Sequence, residues 1–505
     1  MGRMKAGTGL ILLIGWLPAA ALPAAAQHRA IEIDAGKTIG PIRSFQGVND
    51  GPAPLTAGTV DVSAQYREMR VDLVRVHDLF GPGDIDARWS HPDPIAKAVG
   101  ASASRTIFPD PAADPSKESS YTFEPTDKAI HAITATGAEV LFRVGRSWSA
   151  DPEPPADPAR YAEIVKHVAM HYNAGWAHGF HDNIRYWEIW NEPDLKKEWF
   201  PAFIQPFWTG TPEQYYTLYD KVSRALKSFD PNLKVGGPAK AAPALADPYR
   251  EEFMRTCVKR RLPLDFYSWH IYSDASHDPY DIARMGKKIR ELLDQNGLKE
   301  TESIVTEWGM TALPGSQKPV DIAVFLAAAM RYLQDSSIAR ATYYRGDATS
   351  MGLFNNDGSW RSSGRVFKAI GSMTGLERMP VKGDDTYGFA VLAGLDPNPK
   401  KNRIWVHLTN YEIPPQFRNP LPAGLPHPAL DRQPGIAYSD NRGYTLTLRN
   451  IPWSGAWFAV RLYRVTDGLT ETVFEERSKG GHYTLDRDLP PNADDLLELE
   501  RLPEH

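Results

Sequence analysis

The chain has 505 residues, with 57 lysines and arginines against 62 aspartates and glutamates, so its formal net charge at pH 7 is −5. A chain without a basic surplus is not predicted to bind nucleic acid. Hydrophobic residues make up 42% of the sequence and charged residues 24%, which is typical of a globular protein, and the length favours one large domain and a smaller one. Because Cys257 is the only cysteine, no disulfide can form within the chain.

The first 26 residues have the composition of a cleavable secretory signal. Arg3 and Lys5 precede an apolar run at residues 10–17, and small residues follow. A membrane anchor is the alternative, but Pro18 interrupts the apolar stretch, which is shorter than the roughly 20 residues that a bilayer requires. The sequence therefore predicts a signal peptide over residues 1–26, export to the periplasm or the extracellular space, and no integral membrane segment after cleavage.

Between about residues 44 and 348 the chain alternates short β-branched or aromatic runs with longer helical patterns, which is typical of βα units around a parallel sheet. Eight runs are predicted to be strands: residues 44–50, 71–78, 138–145, 184–193, 233–240, 264–273, 302–309 and 339–347. Helical patterns at residues 158–172, 212–229, 279–296 and 320–334 each have a proline near the first turn. Eight such units predict an α/β fold, a (β/α)8 TIM barrel over residues 44–374.

After residue 375 the pattern changes to strand-like runs separated by turns rich in Pro and Gly. The runs are residues 388–393, 402–410, 443–448 and 457–466. This texture predicts an accessory β-sandwich domain over residues 375–505. The alternation of Ile31 and Ile33 predicts that residues 27–43 contribute an N-terminal strand to that sandwich.

Two segments are predicted to be loops at the C-terminal face of the barrel, where such loops shape clefts. Residues 84–120, rich in Pro, Ser and Asp, follow the second strand and are expected to lie outside the core. Residues 200–211 follow the fourth strand and carry Phe203, Phe207 and Trp208. The rings of this second segment fit local packing and substrate contact equally well.

Carboxylates end the fourth and the seventh predicted strands. Residues 186–193 read YWEIWNEP, which puts Glu192 at the carboxyl end of a strand, where barrel enzymes carry their chemistry. Residues 304–309 read IVTEWG and put Glu307 at the same end of the seventh strand. Strands four and seven lie on opposing walls of an eight-stranded ring, so these two carboxylates are predicted to face each other across its mouth.

Two facing carboxylates suit the cleavage of a glycosidic bond. The leaving oxygen must receive a proton, while the positive charge on the anomeric carbon needs an anion or a nucleophile beside it. One acid must therefore stay protonated and the other ionised, and mutual repulsion with unequal surroundings separates their pKa values. A separation of about 5–5.5 Å between the carboxyl groups predicts retention of configuration, and roughly 6.5–9.5 Å predicts inversion.

These two motifs resemble the acid/base and nucleophile motifs of the clan A retaining glycoside hydrolases. Within that clan the chain is most similar to glycoside hydrolase family 39, the family of β-xylosidases and α-L-iduronidases. Residues 74–77, 171–176 and 264–272 add to the match, which covers roughly residues 44–375. The resemblance implies that Glu192 is the general acid/base, that Glu307 is the nucleophile, and that Asn191 donates a hydrogen bond to the 2-hydroxyl of the sugar.

Other polar residues on the predicted strands are candidates for supporting roles. Arg75 and His77 share one strand face by the period of two, with His77 nearer the mouth as a candidate for sugar contact and Arg75 as a cation behind it. A purely structural cation is the alternative for Arg75. Glu188 lies on the face of Glu192 but deeper, so we expect it to pair with a cation such as Arg75 rather than to act in catalysis.

Four aromatic or histidine side chains complete the candidate substrate-binding set. On the sixth strand His270 and Tyr272 share a face, and the Tyr272 hydroxyl can donate to the nucleophile and keep it ionised. Core packing is the alternative for both. Trp308, after the nucleophile, and Trp148, after the third strand, can each offer a ring to the apolar face of a sugar, although structural tryptophans are equally common.

The resemblance implies a β-xylosidase-like exo activity on an oligosaccharide or polysaccharide. An endo-acting glycosidase on a bacterial exopolysaccharide is one alternative, and a non-catalytic carbohydrate-binding protein is another. Uronide cleavage is disfavoured, since iduronidase-like members carry a lysine near the end of strand six where this chain has Ile271, Tyr272 and Ser273. The sequence has no phosphate loop, dinucleotide fingerprint or zinc-protease motif, so neither a cofactor nor a metal is expected.

Overall fold

A computed structural model describes most of the chain. The described residues are 27–54, 59–89, 94–195, 205–241, 248–273, 278–310, 319–398, 403–413, 441–453, 455–465 and 470–503. The predicted signal peptide at residues 1–26 and the ring of Phe203 lie outside them. Within these ranges no helix combines the length and the apolar character needed to cross a membrane.

The first strand, β1 (Gln27–Asp34), belongs to a second unit, and the next eight strands close into a barrel in chain order. Their bounds are β2 Gly47–Asn49, β3 Leu73–Val76, β4 Glu139–Val144, β5 Tyr186–Ile189, β6 Lys234–Lys240, β7 Phe266–Tyr272, β8 Glu302–Gly309 and β9 Arg340–Tyr343. All neighbouring pairs are parallel, and β2 closes the ring by pairing with both β3 and β9. The predicted TIM barrel is confirmed, and each strand lies within its predicted run.

The described helices lie mainly between the barrel strands, and local capping signals fix where several of them begin. They are α1 Ser63–Met69, α2 Pro94–Ala98, α3 Glu124–Thr134, α4 Pro158–Ala174, α5 Pro212–Phe229, α6 Pro248–Arg260, α7 Asp281–Gln295, α8 Pro319–Leu333 and α9 Ser362–Met373. The Asp157 side chain accepts hydrogen bonds from two backbone N–H groups in the first turn of α4. Thr211 and Gln214 form a capping box at the start of α5. The prolines noted in the sequence follow these caps at the first helical position.

The segment after the second barrel strand is partly core, so the expectation that it lies outside the core is wrong. Ile107 and Phe108 are fully buried, and the Phe108 ring packs edge-to-face against Tyr121 with centroids 4.9 Å apart. Two short 3-10 helices, Ala103–Arg105 and Glu118–Ser120, give the segment local structure. The abundance of Pro, Ser and Asp concealed the few apolar residues that anchor it.

Two further sheets pack face to face after the barrel. The strands described after α9 are β10 Glu377–Arg378, β11 Val381–Lys382, β12 Phe389–Leu395, β13 Arg403–Asn410, β14 Asn441–Arg449, β15 Trp457–Val465, β16 Thr470–Lys479, β17 His482–Asp488 and β18 Ala493–Arg501. One sheet has the order β11-β1-β14-β17 and the other the order β10-β12-β13-β18-β15-β16. A single apolar cluster takes residues from both sheets, including Leu446 and Val460, so the predicted β-sandwich is confirmed.

The strand β1 carries the N-terminal end of the described chain into the sandwich. It pairs in parallel with β14 along its whole length and antiparallel with β11. Ile31 and Ile33 are buried in the sandwich core, because alternate residues of a strand face the same side. The sandwich is therefore assembled from both ends of the described chain.

The barrel and the sandwich contact each other through the C-terminal part of α8. The Arg331 guanidinium forms an ion pair with Asp384 at 2.7 Å and donates from Nε to the carbonyl oxygen of Val391 at 2.6 Å. The hydroxyls of Tyr332 and Tyr411 are hydrogen bonded at 2.8 Å. These contacts lie on the outside of the barrel, away from the carboxyl ends of the strands.

Candidate active site

The two carboxylates singled out in the sequence share one pocket. Glu307 lies on β8 and Glu192 just after β5, and they are 5% and 7% exposed. One carboxylate oxygen from each and one ring nitrogen of His270 all lie within 4.8 Å of one another. The structure therefore brings the two side chains together at the carboxyl ends of opposing strands.

A sharp backbone turn after β5 sets the position of Glu192. Trp190 and Glu192 have φ angles of 73° and 46°, in the left-handed region that residues other than glycine rarely adopt. Backbone hydrogen bonds to both neighbouring strands hold the turn: Trp190 donates to Val144 at 2.6 Å and Glu192 donates to Ala239 at 3.0 Å. The strained turn is thus fixed by the strands on either side.

Glu307 accepts hydrogen bonds at both of its oxygens. The Tyr272 hydroxyl donates to Oε2 at 2.6 Å, and Nη1 of Arg75 donates to Oε1 at 2.7 Å. Nε2 of His77 lies 3.3 Å from the same Oε1. Burial and the charge of Glu307 raise the pKa of Tyr272 well above its ordinary value, so the phenol keeps its proton and remains a donor.

The donors around His77 determine which of its nitrogens carries a proton. Nε of Arg143 donates to Nδ1 of His77 at 3.1 Å, and an arginine can only donate. Burial, followed by the charges of Arg75 and Arg143, lowers the pKa of His77 well below its ordinary value, so the ring is neutral. The single ring proton is therefore on Nε2 and points toward Glu307.

Arg75 is a fully buried centre of contacts beneath the pocket. Its Nε donates to Glu188 at 2.6 Å, which is the pairing expected for Glu188 from the sequence. Its two Nη atoms donate to Glu307 at 2.7 Å, to Asn49 at 3.0 Å and to Asn191 at 2.5 Å. A guanidinium with several fixed donors in one plane holds these side chains in a defined arrangement.

Asn191 presents an unused donor to the pocket. Its Oδ1 must face Arg75, since the guanidinium donates and cannot accept. Its Nδ2 is buried and has no hydrogen-bond partner among the described residues. An unpaired buried donor is costly, so this amide is available to a hydroxyl of a bound ligand.

The proton shared by the two carboxylates is placed on Glu192. Burial and the charge of Glu307 raise the pKa of Glu192 well above its ordinary value. Burial raises the pKa of Glu307 to about 7, with Arg75 and Tyr272 opposing that rise. Glu192 lies 2.7 Å from Nδ1 of His270, whose pKa burial lowers well below its ordinary value, so His270 is neutral. The surroundings thus favour a protonated Glu192 beside an ionised Glu307.

Trp308 lies outside the pocket, and the prediction that its ring contacts a sugar is wrong. It follows Glu307 directly on β8, and successive side chains of a strand point to opposite faces. Its side chain is 1% exposed and packs edge-to-face against Tyr343 with centroids 5.2 Å apart. The ring therefore belongs to the core between the barrel and its helices.

The other predicted aromatic candidates divide between the pocket rim and the core. Trp148 is half-buried and packs edge-to-face on Phe207 with centroids 5.3 Å apart, and Phe207 lies 5.6 Å from the His77 ring. Trp208 instead packs on Trp190 at 5.1 Å, on the side of the core. Local packing is therefore observed for both rings, and Phe207 is the one that lies beside a residue of the pocket.

Several residues of the site were not identified from the sequence. Arg143 and Asn49 are buried polar residues that follow apolar residues in β4 and β2, and that contrast is the signal that could have found them. Asp78 and Tyr344 follow the ends of β3 and β9, and the Tyr344 hydroxyl donates to Asp78 at 3.2 Å. Their role depends on contacts between separate strands, which the alternation of side chains along a single strand does not predict.

One group of side chains in the described part of the chain has ligand atoms close enough for a metal ion: Glu192, His270 and Glu307. Nδ1 of His270 and Oε1 of Glu192 are already hydrogen bonded to each other at 2.7 Å, and the Arg75 guanidinium donates to Glu307 at 2.7 Å. A fixed cation beside the site opposes a second cation. The donor set therefore fits a proton shared between acids better than a metal ion.

Replacing Tyr272 by phenylalanine is expected to move the acidic limb of the pH profile of kcat/KM to higher pH by about one unit. The lost hydroxyl stabilises ionised Glu307, so its removal raises the pKa of that carboxyl. The measurement is the pH dependence of kcat/KM for an aryl glycoside. Tyr343→Phe, which alters a ring packed on Trp308, is the control. An unchanged limb in Tyr272→Phe would contradict this role.

The closed barrel with one buried carboxylate after its fourth strand and another on its seventh defines a glycoside hydrolase of the barrel class. A sequence profile of "Glycosyl hydrolases family 39" matches residues 134–331. The chain belongs to glycoside hydrolase family 39, as the resemblance of its motifs predicted.

Individual relatives support the family assignment. The chain is 29% identical over 197 residues to a β-xylosidase of Geobacillus stearothermophilus, a match of 36% of each chain. It is 26% identical over 284 residues to a β-xylosidase of Caldicellulosiruptor saccharolyticus, a match of 50% of this chain and 53% of that one. The crystal structure of a glucosidase from Croceicoccus marinus is 30% identical with a TM-score of 0.80, over 94% of this chain and 100% of that one. The chain thus spans between about a third and a half of the length of the two β-xylosidases.

Proposed function

We propose that the protein is a glycosidase that hydrolyses O-glycosidic bonds with retention of configuration. The observation that carries this proposal is the placement of Glu192 and Glu307 in one buried pocket, with oxygens within 4.8 Å of each other. Oxygens this close suit a carboxylate that attacks the anomeric carbon directly, whereas inversion needs the two carboxyl groups to stand roughly 6.5–9.5 Å apart to admit a water. The proton on Glu192 and the donors around Glu307 support the same division of roles.

In the first step Glu192 gives its proton to the glycosidic oxygen, and the bond from that oxygen to the anomeric carbon breaks. An oxygen of Glu307 forms the new bond to that carbon, which yields a covalent glycosyl-enzyme. In the second step Glu192, now ionised, takes a proton from water while the water oxygen displaces Glu307. The Asn191 amide donates to the sugar 2-hydroxyl in both steps, a role supported by its buried Nδ2, which has no partner among the described residues.

We propose that the substrate is a β-linked xyloside and that the enzyme releases xylose from the end of an oligosaccharide chain. The family and the two matched β-xylosidases support this choice. A β-glucoside is the second candidate, because the structure that matches over 94% of the chain at 30% identity is that of a glucosidase. Hydrolysis of a panel of aryl β-glycosides by the full chain separates the two.

The stereochemistry of the first product tests the mechanism. Proton NMR during hydrolysis of an aryl β-xyloside, or of the best substrate in the panel, is expected to show the β-anomer first and the α-anomer only after mutarotation. Initial release of the α-anomer would establish inversion and remove Glu307 from the role of nucleophile. Binding of xylo-oligosaccharides without turnover of any glycan would favour a carbohydrate-binding protein instead.

Replacing Glu192 by alanine is expected to reduce the hydrolysis of natural oligosaccharides by about 10²–10⁴-fold. Substrates with a good leaving group, such as dinitrophenyl glycosides, need little protonation and are expected to lose far less in the first step. The measurement is kcat/KM across aryl glycosides that differ in leaving-group pKa. Glu213→Ala, at an exposed glutamate on α5, is the control. Equal losses on all leaving groups would exclude Glu192 as the acid.

A further inference from the structure

Asp78 is a third carboxylate at the mouth of the barrel. It follows His77 directly after β3, is 4% exposed and has a φ of 51°, in the left-handed region. Its Oδ1 accepts from the backbone N–H of Trp148 at 2.7 Å, and its Oδ2 accepts from the Tyr344 hydroxyl at 3.2 Å. Nε2 of His77 lies 3.5 Å from Oδ1. Two neutral donors, from the ends of two other barrel strands, therefore hold this side chain.

Five neighbouring buried or half-buried acids differ from Asp78 because each faces an arginine or a lysine. The pairs are Asp50 with Arg345 at 3.1 Å, Asp84 with Arg143 at 2.9 Å, Asp86 with Arg146 at 2.8 Å, Asp194 with Lys240 at 3.0 Å and Glu188 with Arg75 at 2.6 Å. Among the described residues, no lysine or arginine lies within ion-pair distance of Asp78, and the ring nitrogen 3.5 Å from it belongs to the neutral His77. A buried carboxylate without a cation is costly, so its presence calls for a functional explanation.

The charge of Asp78 acts on the pocket in which the two catalytic carboxylates lie. Nε2 of His77 lies 3.5 Å from Oδ1 of Asp78 and 3.3 Å from Oε1 of Glu307, so the two carboxylates share one neighbour. After burial, the charge of Asp78 is one of the further causes that raise the pKa of both Glu192 and Glu307. Arg75 is already opposed by Glu188, so Glu307 and Asp78 leave the pocket with negative charge. Each Asp78 oxygen also retains a lone pair beyond its one hydrogen bond.

We propose that Asp78 determines specificity for neutral sugars: it accepts hydrogen bonds from sugar hydroxyls, and its charge excludes sugars that carry a carboxylate, the uronic acids. The inference rests on the proposed glycosidase function and narrows its substrate class. A hydroxyl donated to a carboxylate makes a charge-assisted hydrogen bond. A sugar carboxylate in the same buried pocket meets two like charges with little solvent to screen them.

Asp78→Asn tests this inference, because asparagine keeps the shape of the side chain and can retain the contacts with Trp148 and Tyr344 while removing the charge. D-Glucose and D-glucuronate differ only at C6, as a hydroxymethyl group and a carboxylate. Their inhibition constants are measured against the aryl glycoside that the wild-type protein hydrolyses best. We expect the variant to strengthen inhibition by glucuronate relative to glucose by about tenfold or more.

Tyr344→Phe is the matched control, since it removes a hydrogen bond to Asp78 but leaves the charge in place. We expect its ratio of the two inhibition constants to stay close to that of the wild-type protein. The inference is wrong if Asp78→Asn changes that ratio by less than about threefold, or if glucuronate still fails to inhibit this variant. Equal weakening of both inhibitors would show a structural role for Asp78. A wild-type protein that hydrolyses no glycoside would instead contradict the proposed function itself.

Discussion

Glu307→Gln is expected to lower kcat for an aryl glycoside by about 10⁴-fold or more, the scale of losses when an enzymatic nucleophile is removed. The amide has nearly the shape of the carboxylate, and its oxygen can still accept from Arg75 or Tyr272. It carries no charge, so it cannot form the bond to the anomeric carbon or stabilise the positive charge there. The measurement is kcat at saturating substrate, with the thermal midpoint as evidence that the variant is folded.

Glu302→Gln is the matched control for this variant. Glu302 lies at the opposite end of the same strand, β8, and contacts Lys234 outside the pocket. Its replacement is expected to leave kcat within about twofold of the wild-type value.

A second test uses Glu307→Gly with sodium azide. The azide is expected to attack the anomeric carbon from the side that the missing carboxylate leaves open and to give a glycosyl azide of inverted configuration. Ordinary activity in Glu307→Gln would exclude Glu307 as the nucleophile.

Arg75→Met is expected to destabilise the fold by about 3–5 kcal/mol, because it leaves buried carboxylates without their cation. Glu188 and Glu307 are the two affected acids, at 2.6 and 2.7 Å from the guanidinium. Methionine fills much of the same volume, so the loss is mainly electrostatic. The measurement is the thermal midpoint and the free energy of unfolding, each compared with the wild-type protein.

The loss of stability in Arg75→Met is expected to depend on pH. Arg75 lowers the pKa of Glu307 from the value that burial alone would set, so its removal raises that pKa further above about 7. When folding raises the pKa of a carboxyl, the folded protein becomes less stable as the pH rises from the unfolded pKa to the folded pKa. The deficit of Arg75→Met is therefore expected to be larger at about pH 8 than at about pH 5. The double variant Arg75→Met with Glu188→Gln should recover part of the loss, and no recovery would contradict the argument.

The barrel could be predicted because its strands carry signals that are local in the sequence. Each run of β-branched and aromatic residues gave one strand, and the position of Glu192 and Glu307 at strand ends placed both at the same face. Because successive residues of a strand face opposite sides, the position of Trp308 directly after Glu307 on β8 would also have excluded it from the pocket. The position of Trp308 beside a catalytic motif left sugar contact and a structural role equally open, and its strand face decides for the structural role.

Contacts between separate strands could not be predicted. The proton position on His77 depends on Arg143, which lies 66 residues away on a neighbouring strand. The four partners of Arg75 come from three other strands or their ends. A single sequence gives the residue types and their strands, but the rotamers and the shared protons are decided by packing in three dimensions.

The parallel pairing of β1 with β14 has a consequence for biosynthesis. The ribosome synthesises residues 27–34 roughly four hundred residues before their partner strand β14. The apolar side chains of Ile31 and Ile33 therefore have no sheet to pack in until the entire barrel has been translated. A fragment that stops after α9 would keep those side chains without a sheet to receive them. A fragment that keeps β1 but lacks the C-terminal strands is therefore a poor choice for recombinant expression, and a useful shortened form would remove β1 together with those strands.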